Sequence, residues 1–343
     1  MTMRCEFEKR APCGLAQSVR LLKQECSLLD FRAMNRASEF WDREIIHQTH
    51  VSWMEHSEVR KYINDSVSEG RGLWPIDWFE SYLGGRRFAR ALSIGCGGGP
   101  LERDLIRRGL CSRCDAFDGS PQSIAAAQAA AREAGIEGSV HYYVGDFNEP
   151  ELPKNTYDIV FFHQSLHHVG KLEKLFRAVM RSLKRDGLLY LDEYIGPSRT
   201  DWSDQTIALQ RLVFESAIPV ERRTTPSLPL PIQPDDPSEA LRSGEIMKEL
   251  SVGFEIDSYR PYGGNLLSVL FPFVDWRGSD GAALIGRIIE AERRLLADGQ
   301  ESFHAVIVAR PKRGFAGWFA RGRYFFVPKA KRVLTETRRR LWS

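Results

Sequence analysis

Three groups of residues in this chain sit where they could do chemistry. The first is a glycine loop, Ala91-Leu92-Ser93-Ile94-Gly95-Cys96-Gly97-Gly98-Gly99-Pro100-Leu101-Glu102, in which a short apolar run enters a turn and a helix follows. Glycines at such a point let the backbone approach a ligand closely and set a helix N-terminus beside it. A dinucleotide fingerprint would need glycine at position 100, where this chain has Pro100. The second group is two acids that close apolar runs, Asp118 in Phe117-Asp118-Gly119-Ser120 and Asp146 in Val144-Gly145-Asp146-Phe147. A carboxylate can accept two hydroxyl donors or one amine donor, and Phe147 offers a flat apolar surface beside a base. Taken singly, either acid reads as a capping or turn residue; together, behind the glycine loop, they read as a binding edge.

The third group is Phe162-His163-Gln164-Ser165-Leu166-His167-His168-Val169, with a later run ending in Asp192-Glu193-Tyr194. Histidine titrates near neutrality, so His167 or His168 can take a proton from a hydroxyl acceptor. For a carboxylate or thioether acceptor no base is required, and the same residues would only orient it. Glu193 and Tyr194 are expected at the same rim, with Arg199 within reach if its loop folds back. A metal reading pairs His163 with His167, four apart on one helix face, but the chain shows no matching carboxylate cluster and no metal is expected.

These residues need a scaffold. From Ala91 onward short apolar runs alternate with helical periods, which argues for stacked βα units and a mainly parallel sheet. The expected strands are Ala91–Ile94, Cys114–Phe117, Val140–Val144, Ile159–Phe162 and Leu188–Leu191. Ser120 caps a helix with Pro121 in its first turn, Ile124 to Ala134 is Ala-rich, and Gly135 ends it. In Lys171 to Leu183 the apolar residues Leu172, Leu175, Phe176, Val179, Met180 and Leu183 form one stripe that must face the sheet. Six prolines between Pro219 and Pro237 mark an irregular insertion, preceded by a helix around Asp204 to Ser216. A helix from Ser238 to Leu250 follows. The strands Phe254–Tyr259 and Phe303–Val308, joined through the helical run Ala282 to Ala297, suit the far edge of a seven-stranded sheet.

The Gly95, Gly97, Gly99 spacing with acids at later strand ends resembles the class I S-adenosylmethionine-dependent methyltransferases, well over Leu92 to Tyr194 and loosely elsewhere. The resemblance implies an α/β, doubly wound, Rossmann-like fold and S-adenosyl-L-methionine as cofactor, with S-adenosyl-L-homocysteine as product. It implies that Gly95, Cys96, Gly97 and Gly99 wrap the methionine and ribose part of the cofactor. Asp118, with Gly119, would take the ribose hydroxyls, Asp146 the adenine amine, and Phe147 the ring; His163 completes the expected cofactor edge. Most members carry an acid at the position of Ser93, contacting the methionine ammonium; Glu102, in the next helix, could supply that carboxylate. His167, His168, Glu193 and Tyr194 fall on the acceptor side. The nucleic-acid signature of Asn or Asp, Pro, Pro and an aromatic residue is absent there, which counts against base methylation. The phrases around Glu193 to Arg199 and Asp236 to Ser243 resemble a bacterial subgroup acting on small molecules, which implies a small-molecule, sugar or lipid-linked acceptor.

The chain has 343 residues, 43% hydrophobic and 27% charged, enough for a sizeable core and against disorder or membrane spanning. The first twenty residues lack an apolar signal core. All six cysteines lie at or before Cys114 and read as reduced cytosolic thiols, the Cys111-x-x-Cys114 pair included. The net charge of +3 is segregated: from Arg310 onward eleven basic residues face one acid, Glu336. Three regions are therefore expected. They are a helical N-terminal cap over 1–83, whose Trp41, Trp53, Trp74 and His50 or His56 close the pocket, a core over 84–310 with a Pro-rich insertion at about 197–240, and a basic aromatic tail over 311–343. The tail suits an anionic membrane surface and gives the competing reading, a membrane- or nucleic-acid-binding protein on a degenerate fold. Intact Asp118 and Asp146 speak against it, and a cytoplasmic enzyme, peripherally bound to membrane at most, is expected.

Overall fold

The computed structural model describes residues 37–43, 52–233 and 235–312. Cys5, Cys13, Cys26, His50 and the basic tail from residue 313 onward lie outside the described residues. Seven strands form one sheet: β1 (Phe88–Ile94), β2 (Cys111–Asp118), β3 (Val140–Val144), β4 (Tyr157–His163), β5 (Leu183–Tyr194), β6 (Phe254–Gly263) and β7 (His304–Pro311). Their order is β3-β2-β1-β4-β5-β7-β6, with β7 antiparallel to both of its neighbours. The switch point, where the strand order reverses, lies between β1 and β4, so the carboxyl ends of β1, β2, β3 and β4 share one edge of the sheet.

Both faces of the sheet are covered, which is why its central strands are apolar at nearly every position. Leu92, Ile94, Val160, Phe162, Leu189 and Leu191 pack on one side against α5 (Leu172–Ser182) and α7 (Ile246–Gly253). The apolar stripe of Lys171 to Leu183 is buried as its period requires. Ala91, Ile159, Phe161, Leu188 and Tyr190 belong to the second core, shared with α1 (Ser57–Ser68), α2 (Pro75–Leu83), α3 (Pro100–Arg107), α4 (Pro121–Glu133) and α9 (Gly281–Ala297). The remaining helices are α6 (Asp204–Ala217) and the single turn α8 (Leu267–Leu270). Ser120 caps α4 as expected, its hydroxyl accepting from Ser123 N.

Only β3 has its expected bounds; the other strands differ by one to five residues at one or both ends, and two departures have a visible cause. β5 starts at Leu183, not Leu188, because the pairing with β4 slips between Tyr157 and Ile159 and lets Lys184 to Gly187 bulge out. The helix expected from Ser238 begins only at Ile246. Residues 237–240 form a turn held by Asp236, whose Oδ1 accepts from both Ser238 N (2.8 Å) and Ser238 Oγ (2.6 Å), and Ala240 stands at φ 52°. A side chain that satisfies its own backbone in this way competes with the helix.

Among the described residues no helix is long and apolar enough to cross a membrane. Cys96, Cys111 and Cys114 are buried and free. Phe79 of α2 fixes the N-terminal helices to the sheet: it is fully buried, its ring 4.7 Å from Tyr190 and 6.1 Å from Phe161. Phe79→Ala should therefore cost about 3 to 5 kcal/mol of stability, read as a lowered urea midpoint with unchanged slope; a loss below about 1 kcal/mol would show that α2 is not anchored there.

Candidate functional site

The glycine loop is shaped by what presses against it. Gly95 has φ 75°, and a Cβ there would fall 2.3 Å from Ser165 Cβ, so only glycine lets the loops after β1 and β4 meet. Gly99, also at φ 75°, would clash with Tyr142, whose hydroxyl donates to the Gly99 carbonyl (3.1 Å). Asp118 braces the same loop: its Oδ2 accepts from Gly97 N and its Oδ1 from Ser120 N, both at 2.9 Å. Each oxygen keeps a further lone pair. Gly95 N and Cys96 N donate to the Phe117 carbonyl, and Gly119 continues the turn toward Ser120. On β3 the register brings Asp146 and Phe147 to the same edge. Asp146 Oδ1 accepts from Asn148 N (2.7 Å), and the Phe147 ring lies 5.8 Å from Phe117 and 3.6 Å from a Cβ built on Gly95.

Beneath this loop, in the first turn of α3, lies Glu102. Its side chain is fully buried and neither carboxylate oxygen has a hydrogen-bond partner. Burial pushes its pKa up, and the neighbouring Ser93 hydroxyl offsets only part of that. A buried carboxyl without a donor is costly to ionise. His163, half-exposed at the end of β4, adds positive potential near Glu102 and stands 3.7 Å from Asp192.

The second cluster forms where β4 and β5 end. Glu193 has no exposed surface, yet it accepts from Ser165 N (2.8 Å), Leu166 N (2.7 Å), Tyr194 N (2.9 Å) and the Nδ1 of His167. Burial alone would raise its pKa; the His167 ring and the two amides outweigh it and hold the carboxyl below the usual range. Burial likewise opposes a charge on His167, but Glu193 and Glu239 overcome it and lift the ring to about 10. His168 goes the other way, pushed down by burial and by its charged neighbour, with ring centroids 4.1 Å apart. The turn 237–240 closes over the pair: Leu241 N donates to the His167 carbonyl, and Arg199 holds the Asp236 carbonyl (2.6 Å). Glu239 and Ser238 thereby reach both rings. The helical residues 37–43 lie across this edge, with Ser38 donating to the Gly119 carbonyl and Trp41 edge-on to His168 at 5.4 Å.

Several sequence expectations change here. Tyr194 does not present its hydroxyl to an acceptor; it donates to the Pro197 carbonyl (3.0 Å). Glu193 supports His167 from behind instead of facing a ligand. His163 and His167 do not share a helix face: His163 ends β4, and Leu166–His168 is a separate 3-10 turn. Carboxylates around the histidines were expected to be absent; Glu193, Asp236 and Glu239 supply them. Of the aromatic residues expected to close the pocket, Trp41 touches His168 and Trp53 packs on His304, while Trp74 lies half-exposed under Arg60 and His56 caps α1. His304 went unread in the sequence; it is buried against Tyr194 and Tyr262, and burial pushes it down to about 3. Two surface cavities, about 470 Å³ beside Arg60 and Trp74 and about 400 Å³ beside Tyr82 and Arg310, border neither cluster.

Residues 92–191, which include the glycine loop and the ends of β1 to β4, match the family model described as a methyltransferase domain. The chain carries a class I S-adenosylmethionine-dependent methyltransferase domain. The ubiquinone biosynthesis O-methyltransferase of Aeromonas salmonicida is 28% identical over 116 residues, 34% of this chain and 48% of that protein. The trans-aconitate 2-methyltransferase of Mycobacterium ulcerans is 38% identical over 89 residues, 26% of this chain and 30% of that protein. The chain thus spans less than half the length of these curated relatives. Among solved structures, the geranyl diphosphate C-methyltransferase of Streptomyces coelicolor A3(2) is 16% identical with a TM-score of 0.49, covering 82% of this chain and 98% of its own.

Glu193→Ala would leave three amides and the buried His167 ring without their acceptor. It should cost about 3 to 5 kcal/mol, read as a lowered midpoint in chemical unfolding; a variant as stable as the parent would show that Glu193 does not organise the turn.

Proposed function

We propose that the chain is an S-adenosylmethionine-dependent methyltransferase that acts on a small-molecule acceptor bound beside His167 and His168. One observation carries the cofactor half of this reading: Glu102 is a fully buried carboxylate, unpartnered at both oxygens, in the first turn of the helix that the glycine loop opens. The ammonium of a methionine moiety is the donor it lacks. Glu102 therefore takes the role that an acid at position 93 plays elsewhere in the family, and Ser93 makes room for it.

The other residues fit the rest of the cofactor. Gly95, Cys96 and Gly97 offer bare backbone, Asp118 keeps one lone pair on each oxygen for ribose hydroxyls, and Asp146 with Phe147 would take the adenine amine and ring. When bound, S-adenosylmethionine supplies an electrophilic methyl group on a sulfonium and leaves as S-adenosylhomocysteine. Positive charge disappears in that displacement, so the protein's task is to align the acceptor with the methyl group and to exclude water. His167 and His168 are held for such a task, each by its Nδ1 edge, with Trp41 covering the second ring. The relatives' names, ubiquinone biosynthesis and trans-aconitate, support a small-molecule acceptor. The basic segment 311–343 supports the further proposal that the acceptor is met at an anionic membrane surface.

Incubation of the protein with methyl-labelled S-adenosylmethionine and extract from a strain lacking the gene should yield one labelled small molecule. Glu102→Gln keeps the shape and removes the charge, and should weaken cofactor use by about 10- to 100-fold at subsaturating cofactor, as expected for a charged hydrogen bond. Label appearing equally with the variant would contradict the assignment of Glu102, and no labelled product from any extract would contradict methyl transfer to a small molecule.

A further inference from the structure

We infer that His167 Nε2, His168 Nε2 and the Glu239 carboxylate form a binding site for one divalent first-row transition metal ion. The two ring nitrogens stand 3.7 and 3.9 Å from Glu239 Oε2, and one ligand atom from each residue lies within 4.8 Å of the others. With metal–ligand bonds of about 2.0 to 2.2 Å, neighbouring donors around one ion stand roughly 3 to 3.5 Å apart, so each Glu239 pair has to close by less than about 1 Å. Glu239 is partly exposed at the end of a turn and has that freedom.

Hydrogen bonding fixes which ring nitrogen is available. His167 donates its Nδ1 proton to Glu193. The Ser238 hydroxyl donates to Asp236 Oδ1 (2.6 Å), so its oxygen accepts from His168 Nδ1 (3.0 Å), which leaves the His168 lone pair on Nε2. Each imidazole is thus backed by a carboxylate, directly or through a serine, and presents Nε2 to Glu239. That is the outer arrangement metal-ligating histidines require. Charge points the same way: Glu193, Asp236 and Glu239 surround two rings, and Asp236 Oδ2 is buried without a hydrogen-bond partner, 3.6 Å from His168 Nδ1. Two imidazoles and one carboxylate suit zinc, manganese, iron, cobalt or nickel, whereas magnesium and calcium favour all-oxygen shells. Three protein ligands leave coordination positions open for an oxygen of the acceptor; this use of the site, though not the site itself, rests on the methyl-transfer reading.

The test is a Co²⁺ titration of tag-free, full-length protein after chelator treatment, followed by visible d–d absorption, with Zn²⁺ as competitor. One equivalent should bind and be displaced by zinc. Glu239→Gln, at a partly exposed turn, and His168→Asn should each weaken binding by at least about 10-fold, with folding checked by circular dichroism. His141→Asn, which removes an exposed histidine 3.7 Å from Asp115, should leave the affinity unchanged. Absence of stoichiometric Co²⁺ binding, or an affinity that neither substitution moves, would overturn the site. Binding of S-adenosylmethionine to the same stripped protein, measured by calorimetry, separates failure of the metal site from failure of the cofactor reading.

Discussion

Glu193 stays ionised with no exposed surface because three backbone amides and the His167 ring all donate to it. The rest of the acceptor end depends on that meeting. The amides of Ser165 and Leu166 fix the turn after β4, which presses Ser165 against Gly95 and so sets the outer wall of the glycine loop. The His167 ring, held on one side, carries His168 beside it and receives the 237–240 turn through its own carbonyl. A single carboxylate on β5 thus couples the loop that would hold a cofactor to the turn that closes the acceptor side. Breaking a fully hydrogen-bonded buried charge of this kind costs more than any one surface ion pair in the molecule can return.

Glu102 is the counterpart. It is as deeply buried as Glu193 but has none of its donors, and the difference separates a finished structural element from the ligand contact proposed for Glu102. A protein can carry such a group when the surrounding fold over-determines its position, and the proposed partner is a small cation that donates hydrogen bonds at the first turn of α3. The two carboxylates lie along the carboxyl edge of the sheet, where the proposal places cofactor and acceptor. The helical residues 37–43 reach from Gly119 to His168 across that edge.

The scaffold was legible because its signals are local. The apolar runs of β1 to β5, the cap at Ser120 and the stripe of α5 each follow from neighbours along the chain, and Val140–Val144 emerged with its expected bounds. The position of Glu102 in the first turn of the helix after the glycine loop was also readable, because Pro100 and the apolar residues after it mark that helix. What could not be read was the assembly of residues far apart in sequence. Ser238 and Glu239 read as the start of a helix, and only tertiary contact with His167 and Arg199 reveals that the segment is a turn. The direction of the Tyr194 hydroxyl and the burial of His304 depend on how β7 and the 195–200 segment pack, which periodicity does not encode.

The central claim is that Glu102 receives the ammonium of the cofactor, and its ionisation offers the most direct measurement. Burial raises the Glu102 pKa, so in the free protein the carboxyl holds its proton to higher pH than an exposed glutamate, and pairing with a cation must expel it. Calorimetric titration with S-adenosylmethionine is run at a series of pH values from about 4 to 6.5, where the ligand's own amino group stays charged, in buffers of different ionisation enthalpy. The account predicts one binding site with net proton release in part of this range that disappears in Glu102→Gln. No proton release at any pH in the range, release unchanged in the variant, or no binding at millimolar ligand would contradict it.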